Sequence, residues 1–131
     1  VILDTSVLIA AERELMPLER FVGGLGSDVV AISAVTASEL LVGVERASRT
    51  AQRVKREAFV ERLLALIPAL PFGVSEARVH ARVVAESLRA GRPMGAHDAI
   101  IAATALSLGW RVATHDVAAF RQVPGLDVIA A

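Results

Sequence analysis

Short apolar runs alternate with longer helical segments along the whole chain, and turn or cap signals separate them. A chain of 131 residues patterned this way has few means of burying its apolar faces. Parallel strands need crossover connections, usually helices, so strand–helix alternation favours a parallel sheet covered by helices. The expected fold class is therefore α/β, with a central parallel β-sheet flanked by α-helices on both faces. The length fits one domain spanning residues 1–131, since single domains run about 100–200 residues.

Val1-Ile2-Leu3 reads as a buried strand that ends at Asp4, followed by a short helix over residues 5–13. Pro17 opens a second helix, which Gly23, Gly24 and Gly26 stop. Val29-Val30-Ala31-Ile32 is the second strand. Ser33 is a good N-cap for a helix carrying Leu40, Leu41, Val44 and Ala47. Residues 51–67 form a longer amphipathic helix, and Pro68 and Pro71 bracket a brief strand or connector. Ser75 is expected to cap a helix ending near Gly91. After Pro93 and Gly95 comes a very apolar helix, Ala96–Leu108, ended by Gly109. Arg111-Val112-Ala113 is a strand, residues 115–120 a helical turn, and Asp127-Val128-Ile129 the last strand. Trp110, at a strand entry, reads as core packing.

Four acids fall where such a fold puts its ligands. Asp4 ends the first strand, Asp116 follows the strand near Thr114, Asp98 opens a helix, and Glu39 lies inside the helix capped by Ser33. Open α/β sheets bind ligands beyond the carboxyl ends of their strands. Four carboxylates gathered there repel one another, and a divalent cation resolves the repulsion; oxygen ligands without cysteine suit Mg²⁺ or Mn²⁺. Taken singly, Asp4, Asp98 and Asp116 have another explanation as helix caps or macrodipole partners. Glu39 fits that explanation worst, because Val35, Leu40, Leu41 and Val42 surround it and buried acids need partners.

These residues resemble the motifs of PIN domains in their VapC-type toxin branch. Asp4-Thr5-Ser6-Val7-Leu8-Ile9 is similar to the opening motif. Ile32-Ser33 through Thr36-Ala37-Ser38-Glu39-Leu40, then Gly43-Val44-Glu45-Arg46, resembles the second. Ala96-His97-Asp98 with Ile100-Ile101-Ala102-Ala103-Thr104-Ala105 resembles the third, and Trp110 through Thr114, then Asp116 and Phe120, the fourth. Pro124-Gly125-Leu126 adds a further likeness. The resemblance spans essentially the whole chain. It implies a PIN-like fold and a Mg²⁺- or Mn²⁺-dependent endoribonuclease that cleaves RNA phosphodiester bonds. It also implies the toxin role in a VapBC-type pair, with a VapB-like antitoxin as partner and a homodimer as the assembly. Carried over by position, the catalytic and metal-binding acids are Asp4, Glu39, Asp98 and Asp116, supported by Thr5, Ser6 and Thr114. His115 departs from the family pattern, where an Arg or Asn is frequent before the last acid.

Other features narrow the alternatives. There are 14 basic and 14 acidic residues, so no global field draws the protein to nucleic acid or to anionic membrane. Arg49, Arg53 and Arg56 share one helix face and read as a phosphate-binding stripe or partner surface. With no cysteine, a thiolate zinc site and a thiol nucleophile are excluded. No apolar run approaches the ~20 residues of a membrane helix. Cytoplasmic residence is expected, with a few residues missing before Val1. A phosphatase or phosphoacceptor module fits poorly, because Thr5 and Ser6 follow Asp4 and the one lysine, Lys55, lies in a helix. Two alternatives stay open: a PIN-domain nuclease of RNA processing with no antitoxin, and a non-catalytic α/β binding module whose acids are helix caps.

Overall fold

A computed structural model describes residues 1–13 and 17–131. Among them lie five short strands and seven helices. They run β1 (Ile2–Leu3), α1 (Thr5–Glu12), α2 (Leu18–Gly24), β2 (Ile32–Ser33), α3 (Ala34–Arg46), α4 (Thr50–Leu66), β3 (Ala69–Leu70), α5 (Val74–Arg89), α6 (Ala96–Leu108), β4 (Val112–Thr114), α7 (Val117–Arg121) and β5 (Val128–Ala130). All strand pairings are parallel: β1 with β4, β4 with β5, and β2 with β3. A parallel bridge between Ile2 and Ala31 joins the two sets, giving the order β3-β2-β1-β4-β5.

The two-residue period of the strands divides the core into two halves. Ile2 and Val112 face one way and pack with Val83 of α5, Ile101, Ala102 and Ala105 of α6, and Phe120 of α7. Leu3 and Ala113 face the other way, against Leu8 of α1, Leu40 and Val44 of α3, and Val60 and Leu63 of α4. Helices therefore cover both faces, as the alternation predicts. Because both faces are covered, these strands are continuously apolar rather than alternating. Trp110 packs against the first half of the core, as expected.

The punctuation signals set the boundaries where they are chemically decisive. Ser33 caps α3, its Oγ accepting from the Val35 N–H at 3.1 Å. Gly109 ends α6 with φ +68°, a left-handed conformation that costs glycine no Cβ clash. Ser75 is not a cap. The α5 helix starts at Val74 because Glu76 reaches back and its Oε2 accepts from the Gly73 N–H at 3.0 Å. The second strand is also shorter than the apolar run suggests. Only Ile32–Ser33 pairs with β3, Ala31 serves as the bridge to β1, and Val29 is exposed.

Candidate active site

The sheet order reverses direction at β1, with β2 on one side and β4 on the other. The crevice beyond the carboxyl ends of β1 and β4 is thus the switch point where open α/β sheets bind ligands. Asp4 leaves β1 directly into it. Its position is N-cap of α1, yet it makes no cap bond. Instead its Oδ2 accepts from Ser6 Oγ and from Thr114 Oγ1, each at 2.7 Å. Asp4 is buried, and a buried carboxylate needs such donors.

The end of β4 is tied to the same point. Thr114 Oγ1 also accepts from the Asp116 N–H at 2.9 Å, and the His115 N–H donates to Ser6 Oγ at 3.2 Å. Asp116 begins α7 and does act as its N-cap, with Oδ1 accepting from Ala119 N–H at 3.3 Å. The cap explanation therefore holds for Asp116, while its second oxygen has no such duty.

Glu39 enters from α3. Its Oε1 accepts from Thr5 Oγ1 at 3.1 Å and lies 3.1 Å from His97 Nδ1 of α6. Thr5 Oγ1 is also 3.1 Å from the hydroxyl of Thr36, which is fully buried one turn before Glu39. Thr36 and His97 stand at this carboxylate too, although the sequence reading names them only within motifs and not among the site residues. Thr36 precedes Glu39 by one helical turn, a spacing that places both on one face and was the available signal. His97 carries no comparable signal, because its partner is on another helix.

Asp98 opens the first turn of α6, where the positive end of the helix favours an acid. Burial, and then the negative fields of Asp4, Asp116 and Glu39 in that order, push its carboxyl above the ordinary value, while His97 opposes the shift. The fields of all three other acids thus reach Asp98, so the four carboxylates share one electrostatic environment. Among the described residues no three acid or imidazole groups close around a single ion on their own. Asp4 Oδ2 and Glu39 Oε1 accept from hydroxyls, and Asp116 Oδ1 from a backbone N–H. That donor set still fits Mg²⁺, which takes one or two carboxylates and keeps several waters.

An open cavity of about 190 Å³ runs from Glu39 past Thr5, Gly43, Arg13 and Arg56. The arginine stripe expected on α4 does not stand free beside it. Arg56 Nε donates to Glu12 Oε1 at 2.7 Å and Nη1 to the Gly43 carbonyl at 3.1 Å, while Arg53 pairs with Glu45 at 3.2 Å. Arg49 sits at the N-cap of α4. Two of the three guanidinium groups of the expected phosphate or partner stripe are thus paired within the chain, Arg56 partly buried and Arg53 at the surface.

A parallel sheet of this order with acids gathered at its switch point defines a class, and the sequence identifies it. Residues 1–126 match the PIN domain, and the chain belongs to the PIN domain family. Within that family its relatives include ribonucleases of the VapC type. Ribonuclease VapC1 of Rickettsia felis is 35% identical over 128 residues, covering 98% of this chain and 93% of that one. The VapBC-5 toxin–antitoxin structure from Mycobacterium tuberculosis superposes with a TM-score of 0.78 at 34% identity, covering 99% of this chain and 97% of the matched one. DNA-bound VapBC from Salmonella typhimurium gives a TM-score of 0.85 at 27% identity, covering 98% and 95%.

Proposed function

We propose that this protein is an endoribonuclease dependent on Mg²⁺ or Mn²⁺ and the toxin of a VapBC-type toxin–antitoxin pair. The observation that supports it best is the hydrogen-bonded set at the switch point of the sheet, where Thr114 joins Asp4 to the Asp116 N–H and Thr5 holds Glu39. RNA is a polyanion, and a crevice lined by four carboxylates repels its phosphates. Such a site suits a phosphodiester substrate only when a cation stands between the two. Asp4, Glu39, Asp98 and Asp116 would hold that cation. When bound, it supplies a more acidic water and positive charge against the phosphoryl oxygens.

The chain's own residues do the positioning. Ser6 and Thr114 fix one oxygen of Asp4, Oδ2, and neither donates to Oδ1. Thr5 holds Glu39. Asp98 stands on the first turn of α6, a helix with six of its thirteen residues buried, so core packing fixes where that turn lies. The VapBC structures support a VapB-like antitoxin as partner; the homodimer follows from the family resemblance, and cytoplasmic residence is the accompanying expectation. Residues 1–131 act as one domain in this reading. No helix among the described residues is long and apolar enough to cross a membrane.

The helix-cap alternative fits Asp116, and the first-turn position of Asp98 suits its macrodipole form, but Asp4 makes no cap bond and Glu39 lies well inside α3. The test is incubation with total cellular RNA and Mg²⁺, with and without EDTA, followed by mapping of new ends. Discrete new ends that vanish with EDTA are expected. Cleavage that persists unchanged in EDTA, or no cleavage at any Mg²⁺ or Mn²⁺ concentration, would overturn the proposal. Light scattering at micromolar concentration and co-purification with a co-expressed neighbouring small protein test the dimer and the antitoxin.

A further inference from the structure

We propose that Thr36 is a positioning residue for Glu39 that acts through Thr5: its buried hydroxyl fixes the direction of a hydrogen-bond chain ending on one oxygen of that carboxylate. This rests on the metal-dependent reading above. Thr36, Leu40 and Val44 are the buried residues of α3, and their spacing of four makes them the stripe that faces the core. Leu40 and Val44 are apolar, as such a stripe requires. Thr36 instead puts a hydroxyl at a fully buried place on it. A buried hydroxyl needs a partner. Three other hydroxyls inside helices find theirs locally: Thr104 donates to the Ile100 carbonyl, Ser87 to that of Val84 and Ser107 to that of Thr104, at 2.8 or 2.9 Å. Among the described residues Thr36 makes no such bond to its own helix. Its partner is Thr5 Oγ1 on α1, 3.1 Å away and 31 residues earlier.

The chain has a direction. Thr5 Oγ1 lies 3.1 Å from Thr36 Oγ1 and 3.1 Å from Glu39 Oε1, yet it carries a single hydrogen. A carboxylate that holds a cation can only accept, so that hydrogen goes to Glu39. Thr36 is then the donor to Thr5. Hydrogen bonds in series polarise one another, so a donor behind Thr5 strengthens the bond in front of it. Oε2 of Glu39 takes neither bond and keeps its acceptor capacity for a cation or its water. Glu39 has three rotatable side-chain bonds, and ordering them each time a cation bound would cost rotamer entropy. Thr5 is buried at the first position of α1, and Thr36 sits one turn before Glu39 on α3. The packing of α1 on α3 is thereby converted into the orientation of one carboxylate.

Outer donors to a metal ligand typically change metal affinity by about 10–100-fold when removed. Thr36 stands one hydroxyl further out, so the lower figure applies to it. The experiment is calorimetric titration of the full chain with Mn²⁺ alone, with melting in EDTA alongside. The proteins are wild type, Thr36→Val, Thr36→Ser, Thr5→Val and the Thr5→Val/Thr36→Val double variant. Thr36→Val keeps the shape and removes the hydroxyl, whereas Thr36→Ser keeps the hydroxyl and removes a buried methyl. Affinity and stability should therefore part. Thr36→Val is expected to bind Mn²⁺ about tenfold more weakly. Thr36→Ser is expected to stay within about threefold of wild-type affinity while melting lower than wild type. In the Thr5→Val background, Thr36→Val should add less than about a twofold loss, because a residue acting through Thr5 has nothing left to act on. Circular dichroism verifies the fold, and Thr36→Ala against Thr36→Ser repeats the contrast should the valine variant not fold. Wild-type affinity in Thr36→Val would overturn the proposal while leaving the metal site standing. So would a loss in Thr36→Ser as large as in Thr36→Val, the result a merely structural threonine predicts, or an undiminished effect in the Thr5→Val background. Wild type that binds no Mn²⁺ would overturn the metal reading itself, and the positioning role with it.

Discussion

Thr114 Oγ1 donates to Asp4 Oδ2 at 2.7 Å across 110 residues of sequence, and through this bond the ends of β1 and β4 are held in one register. The same hydroxyl accepts from the Asp116 N–H, so one buried side chain sets the direction of two acids. Replacing it separates hydrogen bonding from shape. Thr114→Val keeps the volume but leaves Asp4 with one donor fewer and the Asp116 N–H without its acceptor. Loss of a buried partner costs about 1–3 kcal/mol. Urea unfolding of the metal-free protein is expected to show a loss of about 2 kcal/mol. A loss below about 0.5 kcal/mol, the range of ordinary surface changes, would contradict this role.

Asp98→Asn should stabilise the metal-free protein. The folded state raises the Asp98 carboxyl through burial and the fields of three acids, so it binds a proton more readily folded than unfolded. Between its unfolded value of about 3.9 and its raised folded value, stability falls as pH rises. Above that window the penalty is complete, and below it there is none. Melting in EDTA should therefore show Asp98→Asn a few degrees above wild type at neutral pH, with the gap closing under acid. A variant equally stable at neutral pH, or one less stable, would contradict the repulsion.

Divalent cation should reverse that ranking. A ligand that binds only the folded state stabilises it by about 2.7 kcal/mol at a hundredfold excess over its dissociation constant. Adding Mn²⁺ is expected to raise the melting temperature of wild type and to leave Asp98→Asn nearly unmoved. A protein whose acids were only helix caps would gain nothing from Mn²⁺, and Asn in place of Asp would change little.

The parts of this architecture that local chemistry decides are legible in the sequence. Helix α6 has the bounds its flanking Gly95 and Gly109 announce, and Ser33 caps α3 as its position before an apolar helix suggests. The four acids are found because each stands at a strand end, a helix start or within an apolar run. What escapes is decided by packing between distant segments. The partner of Arg56 on α4 is Glu12, 44 residues earlier on α1, and nothing local to the arginine stripe encodes that pairing. Ser75 is the better cap residue by type, but a carboxylate one position later reaches Gly73 first. His97 is invisible as a partner of Glu39 for the same reason, since nothing local to either residue encodes the meeting of α3 with α6.

The central claim is that the acids at the switch point of the sheet carry RNA cleavage through a bound cation. The measurement that tests it most directly is the RNA cleavage rate of Asp98→Asn, purified folded and assayed with saturating Mg²⁺ beside wild type. Removing one electrostatic contributor to a reaction of this kind costs about 100–1,000-fold. The account predicts a fall of at least about 100-fold in a variant whose metal-free form melts no lower than wild type. Near-normal cleavage by Asp98→Asn under those conditions would contradict it.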